Sequence, residues 1–514
     1  MGLQVGQILR QAARFAPEAC AVVDLGHRPE DRREVSFAGL HQLACGVASE
    51  LARQGVAAGD RVAIVAENSL EVAAAWFGIV YAGAAVVPLH LLSAAPELGQ
   101  RLAHADVKLV LHDAVRGELV RAALASASSR APALSLADAA GWPVRSDVRY
   151  PLDTAPQTTA MVLYTSGTTG RPKGAAITHA SLLMHTLLLV QHGLGLDESS
   201  RVLCTLPLSH SYGCRLAMLA PFYARARLVV LPRFDPQRSV DVMREEGVTW
   251  VPAVPTMFAA WGQLSAAEQR PLPSLRWALC AGAPLADATA ERAEAVLGVE
   301  VRQGYGMTEA TFSTLNAPPD QRVLGSVGKP AWGVELRIVD DAGHDVPAGA
   351  RGQVLVRGHN VMSQYLFDSE ATDEALPDGW VQSGDVGQLD DAGRLYIVDR
   401  IKDLIIRGGY NVFPSEIENV LGSHPGVHAI AVVGRPDDYY GEEVVAVVVA
   451  REGSPPPSAA QLHTFGSQRM ARHKLPREYV FTSDLPLGAS GKVHKRTLRD
   501  RLVSGQLKPE KVTG

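Results

Sequence analysis

Residues 61–92 read RVAIVAENSLEVAAAWFGIVYAGAAVVPLHLL. Arg61–Ala66 is a short apolar run rich in β-branched and small residues, the pattern of a buried strand. From Val72 to Leu92 there is no Asp, Glu, Lys or Arg, over a length that could span a bilayer. Gly78, Gly83 and Pro88 interrupt the segment, Ala outnumbers Leu and Ile, and His90 lies near its end. Proline ends a helix, so we expect a buried helix running into a second buried strand and no membrane span. Strand, helix and strand in succession form the unit of an α/β fold.

The same rhythm continues on either side. Leu109–Leu111, Leu228–Leu231, Trp250–Val254 and Trp277–Cys280 are strand-like runs between helical patterns. Val334–Val339, Gly352–Val356 and Arg394–Val398, with turns at Asp341–Gly343 and Asp390–Gly393, make a strand-richer stretch that closes the large domain. After Asp399 the pattern restarts: a helix at Pro414–Leu421, strands at Ala429–Val433 and Glu443–Ala450, then a Pro/Ser-rich turn at Gly453–Ser458. At 514 residues the chain exceeds the ~250–300 that one core supports. The expected architecture is α/β, with a large multi-subdomain N-terminal domain (1–401) ending in a β-rich subdomain, and a small α+β C-terminal domain (402–514).

A net charge of -5 offers no field to draw the chain onto nucleic acid or anionic lipid, so small-molecule partners are expected. The five cysteines are dispersed and never in C-x-x-C spacing, which implies buried thiols in a reducing cytoplasm and neither a disulfide framework nor a zinc site. Gln4, Arg10, Arg14 and Glu18 deny the N-terminus the apolar core of a signal peptide.

The apolar Met161–Leu163 runs into Tyr164-Thr165-Ser166-Gly167-Thr168-Thr169-Gly170-Arg171-Pro172-Lys173-Gly174. Phosphate oxygens need many short donors at close approach. Glycine exposes backbone N–H, Ser and Thr add hydroxyls, and Lys adds charge. The loop is not the G-x-x-x-x-G-K-[ST] type, because Lys173 stands between Pro172 and Gly174. Alone, such a run would serve equally as a flexible surface loop.

The loop resembles the signature of the ANL superfamily: acyl-CoA synthetases, nonribosomal-peptide adenylation domains and luciferases. Four further motifs, in the family's order, extend the resemblance over essentially the whole chain from Arg61. They are Gly304-Tyr305-Gly306-Met307-Thr308-Glu309; Ser383-Gly384-Asp385; Asp399-Arg400-Ile401-Lys402-Asp403 with Gly408-Gly409-Tyr410-Asn411-Val412; and Ser490-Gly491-Lys492-Val493.

The resemblance implies a role for each. Thr165, Ser166, Gly167, Thr168, Thr169, Gly170 and Lys173 would hold ATP phosphates. Gly282-Ala283-Pro284, otherwise an ordinary strand-to-helix turn, would lie beside nucleotide and acyl group. Gly304, Tyr305, Gly306 and Met307 would receive adenine, with Tyr305 packed on it. Thr308 would meet the α-phosphate and Glu309 Mg²⁺, although the pair also reads as a helix cap with a first-turn acid. Asp385 offers two oxygens to the paired ribose hydroxyls, and Arg400 is a second nucleotide contact. Lys492 would stabilise charge as the carboxylate attacks the α-phosphorus; without that context it sits in a solvated basic run. Lys402 would be the hinge of a mobile C-terminal domain, presenting first Lys492 and then Gly408–Gly409 to the site. His210 matches a gate or substrate-positioning residue, not a general base, because a carboxylate is already ionised at neutral pH.

Acyl-pocket walls are expected from His210, Tyr212, Cys214, Val254, Thr256, Cys280–Gly282 and Gly304, a small or apolar set that suits an aromatic or medium aliphatic acid. No clearly placed Arg or Lys calls for a dicarboxylate, although Arg215 is a candidate cation for one. The implied activity is acyl-AMP formation from acid and ATP·Mg²⁺, then transfer to coenzyme A. Val432-Val433-Gly434-Arg435-Pro436-Asp437 resembles the ligases of the superfamily. Gln364, where Gly usually precedes Tyr, and Ser383, where Thr usually precedes Gly-Asp, depart from the family pattern. They keep open a carrier protein, an amine or another nucleophile as acceptor, and an inactive nucleotide-binding regulator is the reading from another class. A carrier protein or a second copy of the chain would be the protein partner.

Overall fold

The Ser69 hydroxyl accepts the Val72 N–H and starts the helix Leu70–Tyr81. Leu70 and every residue from Val72 to Tyr81 are buried, as a helix apolar on all faces must be. Gly78 is the point of closest approach to the helix Phe37–Arg53. A Cβ there would lie 2.5 Å from Val47 and 2.9 Å from the Ala44 carbonyl oxygen. The helix runs into the strand Ala85–Pro88, parallel to Arg61–Val65, as the charge-free stretch implies. Among the described residues, no helix is long and apolar enough to cross a membrane.

The structure is a computed structural model describing residues 4–91, 93–165, 172–265, 271–317, 322–451, 455–487 and 493–512. Among these, two sheets form the large domain. A seven-stranded sheet runs in the order Gln364–Tyr365, Lys173–Thr178, Thr159–Thr165, Ala85–Pro88, Arg61–Val65, Leu109–His112, Ala133–Ser135. In a nine-stranded sheet, Val301–Tyr305, Trp277–Cys280, Trp250–Ala253, Arg201–Cys204, Arg227–Val230 and Cys20–Asp24 lie side by side in parallel. The helices Phe37–Arg53 and Leu70–Tyr81 fill the space between the sheets, where Val22 and Leu228 of one share a core with Ile64 and Met161 of the other. Further helices cover the outer faces, giving five alternating layers.

The β-rich subdomain is an antiparallel sheet of Val334–Val339, Gly352–Gly358, Val381–Leu389 and Leu395–Arg400. In the C-terminal part, the strand Gly441–Ala450 sends Val444, Ala446 and Val448 to one face against the helix Pro414–Gly422. Val445 and Val447 go to the other against Lys495–Val503. That period of two is the pleat itself. The small part touches the large one through Arg351–Glu416 at 2.8 Å, the Ser415 N–H on Asp399 at 2.9 Å, and Gln263 with His428 at 3.1 Å.

The sequence reading is corrected at two places. Thr308 and Glu309 stand in an irregular turn between the strands Val301–Tyr305 and Thr314–Leu315, so no helix N-terminus exists there to be capped. Cys20 is half-buried, unlike the other four cysteines, because it begins the strand next to a sheet edge; all five thiols are free. The turn at Gly453–Ser458 falls partly outside the described residues.

Candidate active site

Three strands converge at the seam between the nine-stranded sheet and the β-rich subdomain. Tyr305 closes the strand Val301–Tyr305, Asp385 lies within Val381–Leu389, and Arg400 ends Leu395–Arg400 directly opposite Asp385. The Tyr305 hydroxyl donates to Asp385 Oδ2 at 2.6 Å, and Arg400 Nε lies 3.2 Å from Oδ1. Burial, and then the Asp385 carboxylate, hold the phenol well above its usual pKa of 10, so it remains a donor at physiological pH. Each carboxylate oxygen keeps further acceptor capacity, which fits a vicinal diol such as ribose. Ser383, the departure from Thr, performs a hydroxyl's work: it donates to the Val354 carbonyl at 2.6 Å and accepts the Asp385 N–H at 3.0 Å.

A second cluster surrounds Glu309, a buried carboxylate. Tyr365 donates to its Oε1 at 2.8 Å, and the Lys173 ammonium lies 5.2 Å from the centre of the Tyr365 ring. The sequence reading passed over Tyr365. Its signal was a buried acid in need of a donor, beside a tyrosine noted only for the Gln364 before it. Gln364 itself is exposed, in a strand paired with Ala176, where no glycine backbone is needed. A single carboxylate with one oxygen fixed suits a hard cation such as Mg²⁺, which takes most of its ligands from phosphate and water.

Thr165 and Lys173 pair where the antiparallel strands Thr159–Thr165 and Lys173–Thr178 end, so the candidate phosphate-binding residues between them connect two paired strands. Ser166, Gly167, Thr168, Thr169 and Gly170 lie outside the described residues, as does Lys492.

Tyr212 is pinned as a wall between two strands, its hydroxyl donating to the carbonyls of Leu279 at 2.7 Å and Ala253 at 3.3 Å, its ring 5.1 Å from Phe312. Val254 packs in the same cluster. His210 Nδ1 accepts the Tyr212 N–H at 3.2 Å. Gly282, with φ of +91°, turns the chain out of Trp277–Cys280 into the Ala283-Pro284 bend. Gly304 lies against Phe312, and a Cβ on Gly306 would sit 2.2 Å from the Phe312 nitrogen, which excludes any side chain there. Met307 and Thr308 are half-buried, the Met307 N–H donating to the Ala310 carbonyl.

Cys214 is not brought to this wall. It packs with Met161 and Cys204 in the other core, because residues two apart on a helix point to different sides. Thr256 is exposed at the start of the helix Pro255–Trp261, while Met257, not anticipated, turns into the Tyr212 cluster.

Lys402 sits in the short turn Ile401–Asp403 that joins the two parts. Burial first, then the neighbouring Arg400, lowers its ammonium pKa. Arg499 clasps this turn from the last helix, donating to the carbonyls of Lys402 at 3.4 Å and Asp403 at 3.3 Å. Gly408 and Gly409, with φ of +56° and +81°, form the two-residue tip of the hairpin between Ile405–Arg407 and Tyr410–Val412. Consecutive positive φ values are what a tight hairpin turn demands.

The family model described as "AMP-binding enzyme" matches residues 9–366, and "AMP-binding enzyme C-terminal domain" matches residues 416–492. The chain is 37% identical to feruloyl-CoA synthase of Amycolatopsis sp over 494 residues, covering 95% of this chain and 97% of that one. It is also 37% identical to indoleacetate–CoA ligase of Aromatoleum aromaticum, covering 91% and 93%. The solved structure of ATP-bound MatB from Rhodopseudomonas palustris superposes with a TM-score of 0.89 at 32% identity, covering 97% of this chain and 99% of that one. With both family models matched and relatives this similar along nearly their whole length, the chain belongs to the AMP-binding enzymes, the adenylate-forming ANL superfamily.

Proposed function

We propose that the protein is an ATP- and Mg²⁺-dependent acid–CoA ligase for an acid with an aromatic or medium aliphatic body, built from an N-terminal domain (1–401) and a C-terminal domain (402–514) that turns about Lys402. The observation that carries the reading is the Tyr305–Asp385–Arg400 junction set beside the Glu309–Tyr365 pair. It joins a diol acceptor to a hard-cation ligand at the mouth of a phosphate hairpin.

In the first half-reaction, a carboxylate oxygen of the acid bonds to the α-phosphorus of ATP and pyrophosphate leaves. Asp385 and Arg400 hold the ribose, Tyr305 the adenine, and Thr308 the α-phosphate. Glu309 would hold Mg²⁺, which when bound would neutralise charge on the phosphates. The hairpin from Thr165 to Lys173 cradles those phosphates, and Lys492 meets the charge that gathers in transit. In the second half, the CoA sulfur bonds to the acyl carbon and AMP leaves with the electron pair of the broken C–O bond. The Gly408–Gly409 tip then faces the site, and its lack of side chains leaves room for the thiol arm. Tyr212, Val254, Met257, Gly282 and Gly304 wall the acyl group, with His210 as its gate. The acceptor is CoA and not a carrier protein, and the compartment is a reducing cytoplasm, a reading that the free thiols support.

The test is acid-dependent pyrophosphate exchange across a panel of aromatic and aliphatic acids, followed by acceptor trials with CoA, a phosphopantetheinyl carrier and hydroxylamine. Thioester formed with CoA alone is the expected result. Exchange without any CoA thioester would overturn the choice of acceptor.

A further inference from the structure

Arg215 lies in the helix Gly213–Leu219, three residues beyond Tyr212, and is 1% exposed. Among the described residues, none of its guanidinium nitrogens has a hydrogen-bond partner. Beside it lie His185, fully buried, and His359, whose ring nitrogens are buried and likewise unpartnered; the two rings are 5.1 Å apart. The preceding turn of the Arg215 helix ties to the segment after Glu309 through Ser211 Oγ and Thr311 Oγ1 at 2.8 Å. Asn360, next to His359, donates to the Thr311 carbonyl at 3.1 Å. The helix that carries Arg215 and the segment that carries His359 are thus both tied to the chain just after Glu309.

An unpaired cation in a low-dielectric interior is a costly arrangement, and an apolar side chain of similar length would pack there without that cost. Burial brings the guanidinium down to about 10, so it stays charged at neutral pH. Burial, and then the Arg215 charge, push both imidazoles below their usual 6.5, so they are neutral and each has one N–H to donate. One fixed positive charge with two neutral donors balances a monoanion, a carboxylate or a sulfonate, and not a phosphate dianion.

We propose that Arg215, His185 and His359 form a buried subsite for a second oxyanion carried by the acyl substrate at the end remote from the carboxylate that is adenylated. This rests on the acid–CoA ligase reading and narrows its substrate class to acids with an apolar body and an acidic tail.

The test uses the full-length enzyme and two matched series. One is hexanoate, adipate and 6-sulfohexanoate; the other is 3-phenylpropanoate with its 4-carboxy and 4-sulfo derivatives. In pyrophosphate exchange, the anion-tailed acids should exceed their plain partners in kcat/KM by about 100-fold or more, since a site built around buried donors rejects a ligand that leaves them unpaired. The carboxy and sulfo arms identify which oxyanion is taken. Arg215→Met should reverse the preference, raising KM for the tailed acid at least about 100-fold and lowering it for the plain one. It should also raise the melting temperature of the ligand-free protein, whereas a purely structural arginine would lower it. His359→Leu should reduce kcat/KM for the tailed acid about tenfold, and it carries the same comparison should Arg215→Met fail to fold. Equal effects of Arg215→Met on both acids of a pair, or exchange with plain acids alone, would remove the subsite and leave the ligase reading standing. Exchange with no acid at all would sink both.

Discussion

Removal of the Tyr305 hydroxyl tests how the nucleotide site is held. In Tyr305→Phe the ring remains and only the 2.6 Å donor to Asp385 is lost. The second partner of Asp385 is Arg400, whose side chain is 47% exposed and therefore a looser restraint. A hydrogen bond to a charged group contributes ~1.5–3 kcal/mol, and removing the orienting donor should forfeit about 1–2 kcal/mol of AMP binding, roughly five- to thirty-fold in Kd. Asp385→Ala removes the acceptor itself, and with it two charge-assisted bonds to ribose, about 3–6 kcal/mol. The informative quantity is the double variant. If the hydroxyl acts through the carboxylate, Tyr305→Phe should add less than ~0.5 kcal/mol once Asp385 is gone. Titration calorimetry with AMP on wild type, both single variants and the double completes the cycle. Strict additivity would refute the argument, because the hydroxyl would then contribute independently of Asp385.

Tyr365→Phe leaves Oε1 of Glu309 without its donor, and the Mg²⁺ concentration for half-maximal exchange should rise about tenfold; an unchanged midpoint would dismiss Tyr365 as a positioning residue. Lys402→Pro restricts φ in the hinge turn, so thioester formation should fall more than acyl-AMP formation, and equal loss in both halves would count against a pivot there. Lys492→Ala should slow acyl-AMP formation about 10²–10³-fold while still converting supplied acyl-AMP. Gly409→Leu should do the reverse, since a Cβ built there meets nothing within 4 Å and leaves the small part intact apart from a strained φ; intact CoA transfer would count against the alternating reading. For Glu416, burial raises the pKa but Lys474 and Arg351 more than offset it, so the carboxyl lies below its usual 4.5. Its stabilising contribution is complete above that value and lost as pH falls through the depressed one. Arg351→Ala should therefore flatten the dependence of melting temperature on pH below 4.5.

Much of this was legible in the sequence because the informative residues are local. The run from Arg61 to Leu92 dictated strand, helix and strand, and the glycines at 282, 408 and 409 marked where the backbone turns sharply. What periodicity could not reveal was pairing. Nothing in Arg61–Val65 or Arg227–Val230 says that they belong to different sheets, because both are parallel strands buried on two faces. Side-chain direction on a helix was equally hidden. Tyr212 and Cys214 looked like neighbours of one pocket, yet the helix turns them into separate cores. Tyr365 was invisible for the same reason, as its partner Glu309 is 56 positions away in the chain.

The strand Gln364–Tyr365 also bears on how the protein is made. It covers the edge of Lys173–Thr178, with the Ser363 N–H on the Ala176 carbonyl at 2.8 Å and the Leu366 N–H on the Gly174 carbonyl at 2.7 Å. Ser363 and Ala176 are 187 positions apart. At ~5–20 residues per second, a nascent chain carries the phosphate hairpin with its edge bare for ~10–40 s before the covering strand is synthesised. An unpaired edge is a template for pairing with another chain, so aggregation during expression should be governed by this interval, and slowing translation between these two points should worsen it. A chain ending near Leu366 is the shortest that covers the edge, and anything cut before Gln364 leaves it open.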